Sequence, residues 1–257
     1  MFFTSKNGAG YYRFENLAAF GRIDHGIFTR RSGFSLRPFD SLNVSMGIGD
    51  AEANVARNRD LIRRIMAGSE FVYARQVHGC DIAVLKSLEQ GQGGETGAGG
   101  ITADVLITDL PDKYLVIQVA DCQAVLLYDP VRQVIANVHC GWRGSILNVI
   151  GRTLEAMTNH FDCRTERIRA GIGPSLGPCC AEFINYKEEI PADFWDYKDS
   201  SDHFDFWAVS RDQLMRAGIA EKNIEISGIC TRCRTDEFYS YRAAKTTGRF
   251  AAVIGLK

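Results

Sequence analysis

The sequence predicts an α+β fold. Three observations carry that expectation. Three strongly apolar runs, YLVIQVADC, AVLLYD and VIANVH, follow one another between Tyr114 and His139 with short breaks, as central strands do. Two other stretches repeat their apolar residues at helical spacing. Strands and helices follow no regular alternation, which favours α+β over a doubly wound arrangement.

Near the N-terminus, HGIFTRRSGFSLRPFDSLNVS (His25 to Ser45) mixes apolar residues with Gly, Ser and Pro and reads as short strands joined by tight turns. Between Ala51 and Ala67, the residues Val55, Leu61, Ile62, Ile65 and Met66 recur at helical spacing. Asp50 is placed to cap that helix and Gly68 to end it, with Asn58 and Arg59 on another face. FVYARQVHG returns to a period of two and predicts a strand ending at Gln76-Val77-His78. GQGGETGAGG, Gly91 to Gly100, predicts a flexible loop before strand-like TADVLIT.

After the three apolar runs, Ile146, Val149, Ile150, Leu154, Met157 and Phe161 predict one amphipathic helix, with Ser145 or Thr153 facing solvent or capping. IRAGIGPSLGPCC reads as a strand and a Gly/Pro loop, and SRDQLMRAGI as a short helix closed by Gly218. FYSYR and GRFAAVIGL are strand-like.

With 257 residues and 46% hydrophobic content, the chain can bury a substantial core in one large domain or two small ones. Thirty Lys and Arg against 31 Asp and Glu leave no basic footprint for nucleic acid or an anionic membrane, so a small or weakly charged partner is expected. No apolar run has the length of a secretory signal or a bilayer span. The expected location is cytoplasmic, and the eight cysteines are expected as reduced thiols.

Three predicted strands end on a soft-metal donor: His78 in QVHG, Cys122 in VADC and His139 in NVHCGWRG. Two imidazoles and a thiolate are three ligands of a tetrahedral zinc site whose fourth position stays open for water or substrate. Asp121 and Asn137 are the expected orienting partners. Spacing leaves other readings open. All three side chains could be packed core residues. Cys122 could be a nucleophile activated by His139 or His78, with the helix N-terminus after Gly144 as an oxyanion hole. Two His and one Cys also suit copper, although five histidines and no His-x-His pair fit a multicopper relay poorly. The zinc deaminase signature is missing.

Cys230-Thr231-Arg232-Cys233 has zinc-knuckle or redox spacing, but adjacent Cys179 and Cys180 make a poor second pair for a four-thiolate site. These four are therefore expected as buried thiols, and Cys80, Cys140 and Cys163 as packing or surface residues. Arg59, Arg143 and Arg242 are candidates for an anion site, Arg143 above all because it opens a helix.

HGIFTRRSGFS with SLNVS, QVHG, ADC followed by VLLYD, HCGWRG, GIGPSLGPCC, and FYSYR with TGRFAAVIGL resemble the YfiH or laccase-domain family over nearly the whole chain. The resemblance implies a single domain over residues 1–257, a layered α/β/β/α sandwich of mixed sheets. It implies Zn2+ on His78, Cys122 and His139, with copper as the alternative metal. The implied activity is that of a purine nucleoside phosphorylase acting on adenosine, inosine and methylthioadenosine, with adenosine deaminase activity. A cysteine or zinc amidase editing peptidoglycan precursors and a copper-dependent polyphenol oxidase are the alternatives. The partners would be nucleoside and phosphate, without nucleic acid, membrane or obligate protein partner. Cys122, His139 and Arg143 are then expected to be catalytic, and Asn43, Arg59, Gln76 and Arg242 to contact substrate. The chain departs from the family pattern at Cys140 (usually Ala), Ala124 (Pro), Ala181 (a nearby Tyr) and Ala243 (a second Arg). Ala181 and Ala243 belong to loops expected at the pocket, where they bear on substrate preference.

Overall fold

The computed structural model describes residues 1–86 and 101–257, so the loop expected over Gly91–Gly100 lies outside the described residues. The strands are β1 (Phe2–Lys6), β2 (Ala9–Arg13), β3 (Ile23–Phe28), β4 (Glu70–Arg75), β5 (Ile82–Leu85), β6 (Ile101–Thr102), β7 (Val105–Thr108), β8 (Lys113–Val119), β9 (Gln123–Asp129), β10 (Val134–Cys140), β11 (Arg169–Ile172), β12 (Ile224–Ile226) and β13 (Phe250–Leu256). The helices are α1 (Glu15–Ala18), α2 (Glu52–Met66), α3 (Trp142–Ile146), α4 (Val149–Phe161), α5 (Tyr186–Glu189) and α6 (Phe206–Arg216). Among the described residues no helix is long and apolar enough to cross a membrane.

Two mixed sheets form, in the orders β1-β2-β3-β13-β8-β4-β6 and β12-β11-β9-β10-β7-β5. The pleat sends alternate side chains to opposite faces, which explains why the central strands are apolar throughout. Leu115, Ile117 and Val119 of β8 meet Leu126 and Tyr128 of β9 and Ile135 of β10 between the sheets. The other face of the first sheet, with Val116 and Val253, is covered by Leu61, Ile62, Ile65 and Met66 of α2. The other face of the second, with Val125, Leu127 and Val138, is covered by Val149, Ile150, Leu154 and Met157 of α4 and Leu214 of α6. The layers are therefore α/β/β/α, as the resemblance implies. Asn137 shares the inward face of β10 with Ile135 and donates through Nδ2 to the Leu115 and Ala252 carbonyls of the opposite sheet. Its role is to tie the sheets together, not to orient a ligand.

Local expectations are corrected at several places. Asp50 does not cap α2: the N-cap is Ala51, and the Asp50 carboxylate accepts from Ser35 Oγ, Asn43 Nδ2 and the Ala51 N–H. The left-handed residue closing α2 is Ala67 (φ 54°), while Gly68 leaves room for Tyr114, whose Cδ2 would stand 2.3 Å from a Cβ there. The helix predicted from Ile146 to Phe161 is two, α3 and α4, broken at Asn148 (φ 54°). Ser145 and Thr153 face neither solvent nor cap; both are buried, each hydroxyl donating to a carbonyl one turn back, at Gly141 and Val149. FYSYR is a turn, because the consecutive Phe238 and Tyr239 both enter the inter-sheet core, which a pleated strand forbids. Beyond β3 the segment to Ser45 is irregular, its backbone held by Ser41, Asn43 and Asn58 side chains in place of a ladder.

Candidate metal centre

Three neighbouring connections deliver three donors to one end of the sandwich. β10 ends with the imidazole of His139 on its inward face, two residues after Asn137. The turn from β8 to β9 carries Cys122 immediately after Asp121, which holds a left-handed backbone (φ 87°). His78 follows β4, also left-handed (φ 61°). Such backbone in non-glycine residues is uncommon and persists where the surroundings fix it. Here they do. The Asp121 carboxylate accepts from Thr231 Oγ1 (2.7 Å) and the Arg242 N–H (2.6 Å), and the His78 N–H donates to Asp104 Oδ1 (3.0 Å).

The donor atoms of His78, Cys122 and His139 lie within 4.8 Å of one another, and the two imidazole rings meet edge to face at 4.9 Å. Ligands of one tetrahedral ion with bonds of 2.0–2.3 Å stand roughly 3.5 Å apart, so these three need little movement to share an ion. Gly141 makes the approach possible, since a Cβ there would lie 3.0 Å from Cys122 Sγ and 3.6 Å from His78 Cδ2.

Asp104, which the sequence reading missed, organises the centre. Its Oδ1 stands 2.7 Å from His139 Nδ1 and its Oδ2 accepts the Gly79 N–H at 2.7 Å. This leaves Nε2 as the free donor of His139, the usual arrangement behind a metal-bound imidazole. Asp121, expected in that role, instead anchors loops. Burial works against the Asp104 carboxylate, but the hydrogen bonds from His139 and Gly79 outweigh it and hold its pKa below the ordinary range. Burial likewise opposes ionisation of Cys122, yet His139 and His78 bring its thiol down to about 6. Burial opposes the His139 cation too, but Cys122 and Asp104 raise it to about 9. Thiolate and imidazolium therefore coexist at neutral pH in the metal-free protein, sharing the one proton that a metal must displace.

The centre opens into a cavity of about 930 Å³. Arg59, Gln76 and Arg242, expected at the substrate, line it. Gln76 is already engaged, both ends of its amide pairing with the Gln118 backbone. Asn43 and Arg143 do not line the cavity. Asn43 is buried, its amide holding the loop at Ser45, Asp50 and Arg249. Arg143 is exposed and lies over the Trp142 ring on a helix only five residues long.

Other lining groups were not legible in advance. Arg75, Lys245 and Arg249 join Arg59 and Arg242 to give five cations against Glu52 and Asp121. Burial pulls the pKa of Arg59 and Arg249 down, the condition of cations held partly out of water. Tyr73 and Gln118 also line the cavity, and Tyr73 Oη and Gln118 Oε1 are buried without a hydrogen-bond partner among the described residues. Buried polar atoms are normally paired, so both keep unmet hydrogen-bonding capacity in the wall of the cavity. Trp142, Phe183, Phe206 and Tyr241 add aromatic surface.

Residues 24–257 match the family described as "Multi-copper polyphenol oxidoreductase laccase". The chain belongs to this family. Among curated relatives, it is 33% identical to "Purine nucleoside phosphorylase" of Deinococcus radiodurans over 97% of this chain and 94% of the relative. It is 32% identical to "Purine nucleoside phosphorylase YfiH" of Escherichia coli over 89% and 91%. Among solved structures, YfiH of Bacillus licheniformis superposes with a TM-score of 0.86 at 28% identity, covering 99% of each chain. YlmD of Geobacillus stearothermophilus gives 0.86 and 28%, covering 99% and 98%.

Within this laccase-family fold, Ala181 lines the cavity while Ala243 is exposed beside it. Cys140 is buried against α4, its thiol pushed up to about 11 by burial. The cysteines set aside as buried thiols need correction. Cys179 and Cys233 are exposed, and Cys179, Cys180, Cys230 and Cys233 form a second cluster with all four sulfurs within 4.8 Å. In an extended segment Cys179 and Cys180 would point apart, but they sit in a turn.

Proposed function

We propose that the chain is a zinc-dependent purine nucleoside phosphorylase acting on adenosine, inosine and methylthioadenosine. The observation that carries this reading is a three-donor centre, open on one side, in the wall of a cavity lined by five cations and several aromatic rings. The relatives named purine nucleoside phosphorylase support the reaction class.

Phosphorolysis requires a phosphate oxygen to attack C1′ as the bond to the purine breaks through an oxocarbenium-like sugar. Arg59 and Arg249 hold the phosphate, since partly desolvated guanidiniums gain most from a charged partner, and Arg242 lines the same cavity. Tyr73 stays neutral, because burial pushes its pKa up, and donates to the nucleoside, while Gln118 Oε1 accepts from it. Trp142, Phe183 and Tyr241 pack on the purine and keep water from the sugar cation. His78, Cys122 and His139 would hold the zinc, whose open position supplies Lewis acidity for charge that develops on the substrate. Deamination of adenosine is proposed as a second activity of the same cavity. The setting is the cytoplasm, where thiols stay reduced, and the partners are nucleoside and phosphate alone.

Incubating zinc-loaded protein with each nucleoside, with and without phosphate, tests this. Free base and the corresponding pentose 1-phosphate (ribose 1-phosphate, or its 5-methylthio derivative from methylthioadenosine) should appear only with phosphate; release of base at equal rate without it would contradict the proposal.

A second reading has its own observation. Cys122 Sγ lies within 4.8 Å of a His139 ring nitrogen, and His139 Nδ1 pairs with Asp104 Oδ1 at 2.7 Å, the order of a cysteine nucleophile, a general base and an orienting acid. A cysteine amidase acting on a peptidoglycan precursor would work without metal and be stopped by alkylation of Cys122. A multicopper oxidase is disfavoured, because only His78 and His139 of the five histidines share a site, while His25 is buried and accepts the Phe14 N–H.

A further inference from the structure

The four-cysteine cluster stands outside the three-donor centre and has a chemistry of its own. Two loops build it. One runs from Ser175 through the turn bearing Cys179 and Cys180; the other runs from Ile229 through Cys230 and Cys233. Backbone hydrogen bonds join them, from the Ser175 N–H to the Ile229 carbonyl (3.2 Å) and from the Thr231 N–H to the Ser175 carbonyl (3.0 Å).

The sulfurs of Cys179 and Cys233, and those of Cys180 and Cys233, are 3.6 Å apart, with all four within 4.8 Å. A disulfide needs about 2.05 Å. A tetrahedron of thiolates on zinc, with bonds of about 2.3 Å, has edges of about 3.8 Å. The observed spacing is close to that of a coordination shell. Weak S–H donors do little for one another when packed together, whereas a divalent cation would neutralise the charge of four thiolates. Two N–H donors face the sulfurs as they do around bound thiolates: the Gly177 N–H to Cys230 Sγ at 3.4 Å and Arg232 Nη1 to Cys180 Sγ at 3.5 Å.

We infer that Cys179, Cys180, Cys230 and Cys233 form a second metal site, a closed four-thiolate zinc site with a structural role. Its consequence reaches the cavity. Thr231, between two of the ligands, holds Asp121, whose neighbour is Cys122. Arg242 donates through Nη1 to the carbonyls of Cys180 (3.1 Å) and Glu182 (2.9 Å). Zinc here clamps the two loops that place Arg242 and Ala181 in the cavity wall.

The test is metal analysis of the full-length chain, purified anaerobically from zinc-supplemented cells. The His78→Ala/His139→Ala protein disables the first centre and should retain about one zinc per chain. Adding Cys179→Ser and Cys233→Ser should remove it. The His variant, reconstituted with cobalt, should show the intense thiolate charge-transfer and tetrahedral bands of a four-sulfur site. Since the serine variants could misfold, thiol titration of the His variant gives an independent readout: the four cluster thiols should be slow to react until a chelator is added. A metal-free His variant whose four cluster thiols react at once, or a disulfide within the cluster, would overturn the inference. Because the first centre is disabled throughout, the result does not depend on the phosphorylase reading.

Discussion

Asp104, the residue before β7, and His139, on the neighbouring strand β10, are joined at 2.7 Å, and the same carboxylate receives the backbone N–H groups of His78 and Gly79. One buried acid thus positions two of the three donors.

Asp104→Asn should weaken metal binding by roughly 10- to 100-fold. An amide has a single acceptor oxygen, so one side of residue 104 would present an N–H to another donor. Competition with a chromophoric chelator measures the change, and affinity equal to wild type would show that Asp104 does not position the donors.

Gly141→Ala should lower metal affinity while leaving the fold intact. Its φ of −79° is open to alanine, so the backbone carries no penalty, but the new methyl would press on Cys122 Sγ at 3.0 Å. Circular dichroism checks the fold and chelator competition the centre; unchanged affinity would mean the donors have room that the structure denies.

The metal-free protein should show a titration at Cys122. Its thiolate, the reactive form, appears as pH rises through about 6, whereas burial holds Cys140 at about 11 and Cys163 at about 12. Iodoacetamide at pH 7 should therefore label Cys122 well ahead of those two, and bound metal should protect it. His139 keeps its proton up to about 9. Between these values binding must expel that proton, so affinity should rise by at least about tenfold per pH unit. A flat pH profile would contradict the thiolate–imidazolium pair.

Arg249→Met should raise the KM for phosphate in phosphorolysis by roughly 30-fold, the equivalent of one charged hydrogen bond of about 2 kcal/mol. Tyr73→Phe should instead raise the KM for nucleoside, by roughly tenfold, with the phosphate KM unchanged. Steady-state kinetics in both substrates separates the two. An unchanged phosphate KM in Arg249→Met would remove that residue from the anion site.

What could be read in the sequence follows physical lines. The core strands were legible because β8, β9 and β10 are apolar on both faces, Cys122 and His139 because they interrupt or end such runs, and His78 because it follows an alternating strand. Asp104 was visible as a lone acid in TADVLIT, but nothing local says which histidine it meets. Arg249 and Tyr73 were hidden in strand-like segments whose facing depends on sheet order. Arg143 looked like an anion ligand because it follows a strand–helix junction, yet α3 points it outward over Trp142. Adjacent Cys179 and Cys180 make a poor second pair on spacing alone, yet a turn brings both sulfurs to the cluster.

The central claim is that His78, Cys122 and His139 form the metal centre on which phosphorolysis depends. The most direct measurement follows zinc content and phosphate-dependent release of adenine from adenosine in the His78→Ala, Cys122→Ala and His139→Ala proteins beside wild type. Each variant should lose the zinc of this centre and at least about 100-fold in turnover, the scale of a missing electrostatic group at the reacting atoms. Full metal content with full activity in any of the three would contradict the account.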